Sequence, residues 1–224
     1  CNKNSEHLCP ERSLIGMNRP FIREGGLAEF VSVPNKNLNN LPKELDISKA
    51  ALTEPTAVSL HAVDLGEKNL QLPLDKAKVL IIGGGAIGIL CALILQNIKK
   101  NKHTTLVEIN EKRLDVCKKS LQSQVLNPES DKIKNNSFDF VIDAVGNEKT
   151  RQFAIKTTKP GGAIVHVGLT DAGGSFDFRK TTLQEITFIG TYCYTFRDFK
   201  TTIKILSESL IGDLNWIQYK DLKN

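Results

Sequence analysis

Residues 77–97 read AKVLIIGGGAIGILCALILQN, and the fold follows from them. An apolar run, Val79-Leu80-Ile81-Ile82, leads into Gly83, Gly85 and Gly88 in G-x-G-x-x-G spacing, with Ala86 and Ile87 between the last two glycines. A helical-looking apolar segment follows. Strand, tight turn and helix in this order make a cradle for a dinucleotide. The first glycine permits the turn and the second lets the backbone approach a pyrophosphate. The third lets helix and strand pack closely, while the helix N-terminus presents free N–H groups. Glu108 lies 20 residues beyond Gly88, at the end of the next apolar run, Thr104 to Val107. A carboxylate there can take the ribose 2′-hydroxyl and repel a 2′-phosphate, which favours NAD over NADP. A membrane span is the rival reading, because residues 79–95 carry no polar side chain. The four glycines in that run and the strand–helix alternation downstream argue against it.

The alternation predicts an α/β protein with a doubly wound parallel sheet. Strands are expected at 77–82, 104–109, 124–126, 138–144, 163–167 and 186–192. Helices are expected at 86–98, 111–121, 149–157 and 196–210. Six strands with right-handed crossovers suit the order 3-2-1-4-5-6. Upstream, GGLAEFVSVP at 25–34 reads as a glycine turn and a strand stopped by Pro34. Asp46 reads as the N-cap of a short helix. Pro55 interrupts the helical pattern, and a second helix is expected from Thr56 to Leu65, stopped by Gly66.

Composition sets the outer bounds. The chain has 224 residues, 40% hydrophobic and 25% charged, which suits a globular protein with a sizeable core. The net charge of +5 is spread along the chain, and no basic run is interleaved with aromatics, so a nucleic-acid partner is not expected. Five cysteines, an odd number, do not form a disulfide framework, and the default is a reducing cytoplasm. The four histidines show no metal-ligand spacing. Cys1 and Cys9 alone are two ligands where a structural zinc needs four. Glu54 alone is a helix-end carboxylate. The chain begins at Cys1 rather than Met and ends in KDLKN, so it reads as a fragment.

Several segments in fixed order resemble the medium-chain, zinc-dependent alcohol dehydrogenases, and among them the polyol (sorbitol-type) enzymes. They are C-x7-C at Cys1 and Cys9, GGLAEFVSVP at 25, EPTAVSLHA at 54, IIGGGAIG at 81, VEINEKRL at 107, DAVG at 143 and KPGGAIVHVGL at 159. The resemblance implies a partial GroES-like catalytic domain over 1–55, an NAD-binding Rossmann domain over 56–210 and the start of a return to the catalytic domain over 211–224. It implies a zinc-dependent oxidoreductase that moves a hydride from a secondary alcohol of the polyol class to NAD. Cys1 and Cys9 then match two ligands of the four-cysteine structural zinc lobe, and Glu54 matches a residue that faces the catalytic zinc and the substrate.

The same resemblance assigns cofactor contacts to Gly83, Gly85, Ala86, Ile87, Gly88, Glu108 and Arg113, and to Val167, Gly168 and Leu169 at the end of the fifth strand. Tyr192 and Cys193 join them, with Cys193 and Tyr194 lining the substrate. Sorbitol-type enzymes usually carry an arginine at the position of Cys193, which argues against sorbitol itself. The usual Cys, His and Glu ligands of the catalytic zinc would lie upstream of residue 1, so this chain alone is expected to bind NAD and catalyse poorly. Family members pair the edge strand, here 186–192, across a two-fold axis, which implies a homodimer or homotetramer. The alternatives are a zinc-free NADPH quinone reductase of the same superfamily and a non-catalytic nucleotide-binding module.

Overall fold

The computed structural model describes residues 5–17 and 23–220. A six-stranded, all-parallel sheet is built from β1 (Val79–Ile82), β2 (Thr104–Val107), β3 (Gln124–Leu126), β4 (Phe138–Asp143), β5 (Thr158–His166) and β6 (Thr187–Gly190). The strand order is β3-β2-β1-β4-β5-β6, the doubly wound order expected from the alternation. Seven α-helices are described: α1 (Ile47–Ala50), α2 (Thr53–Glu67), α3 (Ala86–Asn97), α4 (Glu111–Ser120), α5 (Glu148–Thr157), α6 (Phe178–Leu183) and α7 (Phe196–Ser207).

The sheet is buried on both faces, so its central strands read as unbroken apolar runs rather than alternating ones. Val79, Ile81, Phe140, Ile142, Ala163 and Val165 pack on one side with α2, α3 and α7. Leu80, Ile82, Val141 and Ile164 point to the other side, with Ala154 and Ile155 of α5. Every residue of α3 from Gly88 to Leu95 is buried. That explains a helix with almost no polar face, which sits inside the protein rather than in a bilayer. Among the described residues, no helix is long and apolar enough to cross a membrane.

Four expectations are corrected. Residues 25–34 form bends and irregular backbone, with Leu27 89% and Phe30 90% exposed. A strand needs a neighbour for its N–H and C=O groups, and none of the described residues supplies one. Pro55 does not interrupt α2. It lies in the first turn, where the missing N–H has no intrahelical partner to lose, so the helix starts at Thr53. Gly66 does not stop α2 either. A Cβ there would lie 1.9 Å from Phe140 Cζ, so the glycine leaves room for that buried ring. Finally, β5 begins at Thr158 and runs through Gly161-Gly162, where the pairing register with β4 shifts. Gly161 takes this irregularity with a φ of +71°.

Candidate dinucleotide site

Strand β1 pairs with β2 on one side and β4 on the other, and the helices that follow β1 and β4 pack on opposite faces. A crevice therefore opens above the carboxyl ends of β1 and β4, the place where doubly wound sheets take ligands. The glycine turn forms its floor. Gly83 has a φ of +102°, and a Cβ there would lie 2.6 Å from Val145 Cγ2 in the loop after β4. A Cβ on Gly88 would lie 1.8 Å from the Gly83 carbonyl oxygen. On Gly84 it would meet Cys117 Sγ at 2.7 Å. On Gly85 it would meet nothing within 4 Å. Gly85 is also the N-cap of α3 and gives it no side-chain cap, and both Gly85 and Ala86 are exposed. The helix thus begins with uncapped N–H groups facing open space, which suits an anionic group such as a pyrophosphate. Ile87 is half-buried beside them.

Glu108 follows β2 and is only 4% exposed. Its Oε2 accepts from the Gly84 N–H at 2.8 Å and from Arg113 Nε at 3.0 Å. Its Oε1 accepts from the Asn110 N–H at 2.8 Å and from Arg113 Nη2 at 3.0 Å. Burial pushes the carboxyl pKa up, but the Arg113 fork and the two N–H groups outweigh it and hold the pKa below the ordinary value. The stabilisation this carboxylate contributes is present above its unfolded-state pKa of about 4.5 and is lost as pH falls through the lower folded value. Glu108→Gln should therefore cost about 1–2 kcal/mol at pH 6 and progressively less towards pH 3. Urea unfolding across that range measures it, and a pH-independent cost would contradict the ion pair.

The loops after β4 and β5 make the opposite wall. Asp143 is fully buried, and its Oδ1 accepts from the N–H groups of Val145 at 3.0 Å and Gly146 at 2.9 Å. Its Oδ2 accepts from the Thr150 hydroxyl at 3.0 Å. Gly146, with a φ of +75°, lies against the backbone of Gly168, and a Cβ on Gly146 would come within 1.8 Å of the Gly168 oxygen. The N–H groups of Val167 and Gly168 both donate to the Asp143 carbonyl, and Leu169 is 82% exposed beside them.

A second cluster gathers after β6. Cys193 has a φ of +51° and turns the chain between Tyr192 and Tyr194. Tyr192 lies under the Arg12 guanidinium, 4.6 Å from the ring centre, and Tyr194 stacks on Phe199. Glu54, in the first turn of α2, is close enough for its charge to act on Cys193 and Tyr194. Burial, and then Glu54, push the Tyr194 hydroxyl up to about 12, and partial burial also raises the Glu54 carboxyl. Glu54, Cys193 and Tyr194 therefore lie within electrostatic reach of one another. Cys9 is disulfide-bonded, so in this state its sulfur is not the thiolate a zinc lobe needs, and Cys1 lies outside the described residues. Among the described residues, no three His, Cys, Asp or Glu side chains are grouped to hold a metal ion.

Sequence reasoning missed Asp143 as the brace of the β4 loop, although an acid ending an apolar strand was a visible sign. It also missed Arg12 on Tyr192. The packing of His7 against His61, with ring centres 4.9 Å apart, and the 2.8 Å contact of His61 Nδ1 with Asp198 left no trace in spacing. A cavity of about 620 Å³ lined by Asn136, Gln152, Phe176, Asp177 and Lys180 holds none of the sequence-assigned site residues. It borders the segment that enters β4, at the opposite end of the sheet from the crevice.

A family model described as zinc-binding dehydrogenase matches residues 86–208. The (R,R)-butanediol dehydrogenase of Saccharomyces cerevisiae is 28% identical over 235 residues, taking in 99% of this chain and 58% of the yeast protein. The acetophenone reductase of Geotrichum candidum in complex with NAD superposes with a TM-score of 0.79 at 23% identity, over 91% of this chain and 57% of that one. A zinc-binding dehydrogenase from Sinorhizobium meliloti bound to NADP gives a TM-score of 0.79 at 23% identity, over 92% of this chain and 61% of that one. At such identities the two structures speak for the fold, which accommodates either dinucleotide. The chain spans somewhat more than half the length of each of these proteins.

Proposed function

Because the chain belongs to the zinc-binding dehydrogenases of the medium-chain alcohol dehydrogenase family, we propose that the intact protein is an oxidoreductase moving a hydride between a secondary alcohol and NAD. The alcohol class is a diol or polyol, in keeping with the butanediol relative and the resemblance to polyol dehydrogenases. One observation carries the reading. The exposed, uncapped start of α3 lies at the reversal point of the sheet, and Gly85 is the one glycine of its turn with open space before it.

In this reading the N–H groups of Gly85, Ala86 and Ile87 hold the pyrophosphate, and Glu108 faces the adenosine ribose. Val167, Gly168, Leu169, Tyr192 and Cys193 border the nicotinamide. When bound, NAD takes up the hydride at C4 of its nicotinamide ring. Glu54, Cys193 and Tyr194 line the substrate side, and Glu54, whose pKa is raised, can hold a proton near the substrate hydroxyl. Glu54 is the residue that would face a catalytic zinc, and a structural zinc would need Cys9 as a thiolate. No step is assigned to either metal.

Titrating the chain with NADH, followed by nucleotide fluorescence, should give saturable binding that is weaker for NADPH. Absence of saturation removes the dinucleotide site. The outer side of β6 is a sheet edge, with Thr187 and Gly190 exposed. Association through it would pair the open backbone groups, so light scattering should report a dimer or tetramer. A monomer at high concentration would count against this edge as an interface.

A further inference from the structure

The segment that leaves β5 carries Val167, Gly168 and Leu169 and then crosses to α6 without regular secondary structure. Every residue from Leu169 to Ser175 is exposed, so burial does not hold this loop, and polar contacts must. Arg151, on α5, supplies the central ones. Its Nη1 donates to the Gly146 oxygen at 3.0 Å and reaches the Asp171 oxygen at 3.5 Å, while its Nη2 donates to the Gly173 oxygen. Gly146 belongs to the loop after β4, whereas Asp171 and Gly173 belong to the loop after β5. One guanidinium therefore ties the two loops together. A planar fork of five N–H donors can serve three carbonyls in this way, which a single ammonium cannot match.

The backbone follows the same path. The Thr170 hydroxyl donates to the Val145 oxygen at 2.5 Å, and the Asp171 N–H donates to the Gly146 oxygen at 3.1 Å. Gly174, with a φ of +119°, passes so close to α5 that a Cβ there would lie 2.8 Å from Glu148 Cβ and 2.9 Å from Arg151 Nη2. We propose that Arg151 is a positioning residue for the nicotinamide half of the cofactor: by clasping the loop after β5 to the loop after β4, it holds Val167, Gly168 and Leu169 at the crevice. The inference rests on the dinucleotide reading of the glycine turn. It confines the effect of Arg151 to one end of the ligand, because the hydrogen bonds of its side chain go to the loops after β4 and β5. The phosphate cradle at Gly85 and the carboxylate of Glu108 belong to the elements after β1 and β2.

The test is calorimetric titration of the full chain with NADH and with ADP-ribose, which lacks the nicotinamide, alongside thermal melting to confirm folding. Arg151→Met should weaken NADH binding about tenfold, the scale of one charge-assisted hydrogen bond, and leave ADP-ribose binding within about twofold. Arg151→Lys keeps the charge without the fork and should show the same pattern at about threefold. If Arg151→Met melts below the assay temperature, the lysine variant carries the comparison. A brace that merely stabilised the fold would weaken both ligands alike. Equal losses for the two ligands, or unchanged NADH affinity in both variants, overturns the proposal and leaves the dinucleotide site intact. So does an unsubstituted chain that binds NADH no tighter than ADP-ribose. If the unsubstituted chain binds neither, the dinucleotide site falls and the role of Arg151 falls with it.

Discussion

Gly88→Ala is expected to abolish measurable NADH binding and to lower the melting temperature by about 6–12 °C, as a cost near 3 kcal/mol would in a chain of this size. The new Cβ would lie 1.8 Å from the Gly83 carbonyl oxygen and 3.0 Å from its carbon. Both are backbone atoms of the turn itself, so no flexible side chain can yield. Relief requires α3 to move away from β1, and α3 carries eight consecutive buried residues into the core. Gly85→Ala is the control that separates cofactor binding from folding. Gly85 has an ordinary φ of −77°, and its Cβ would enter open space. That variant should keep the parental melting temperature and still lose tenfold or more in NADH affinity, because the methyl group occupies the room a phosphate would take. Unchanged NADH affinity in Gly85→Ala would show that the phosphates lie elsewhere.

Asp143→Ala should be nearly as damaging. Its carboxylate is fully buried and accepts three hydrogen bonds, from Val145, Gly146 and Thr150. Truncation strands those donors, at a cost of about 3 kcal/mol or more. It also frees the loop whose Val145 fills the space beside Gly83 and whose Gly146 lies on Gly168. NADH affinity should fall together with stability. Asp143→Asn keeps an oxygen for the two backbone donors, and its amide can donate to the Thr150 hydroxyl, which can turn towards the Asn147 carbonyl 3.1 Å away. It should cost only about 1 kcal/mol. Equal losses in the two variants would mean that burial of the side chain, rather than its acceptors, holds the loop.

The sheet was legible because its signals are local. β1 and the Phe140–Ile142 part of β4 are apolar runs, and burial on both faces selects that pattern directly. The glycine spacing and the acid after β2 were legible because each is a demand of backbone geometry or charge at one position. The errors fell where a local signal met a distant partner. GGLAEFVSVP has strand composition, yet strand formation needs a second backbone that the described residues do not provide. Gly66 resembles a helix stop, yet its role is set by Phe140, 74 residues later in the chain.

By itself, then, the order of residues determined the α/β class, the strand sequence and the place of the glycine turn, because helix and strand periods and glycine turns are properties of neighbouring residues. Tertiary structure alone decided that the acceptors of Glu108 are filled by the Arg113 fork together with the Gly84 and Asn110 N–H groups. It also decided that Glu54 lies within electrostatic reach of Cys193 and Tyr194. Those contacts join groups on separate elements, and their distances are set by how helices and strands pack.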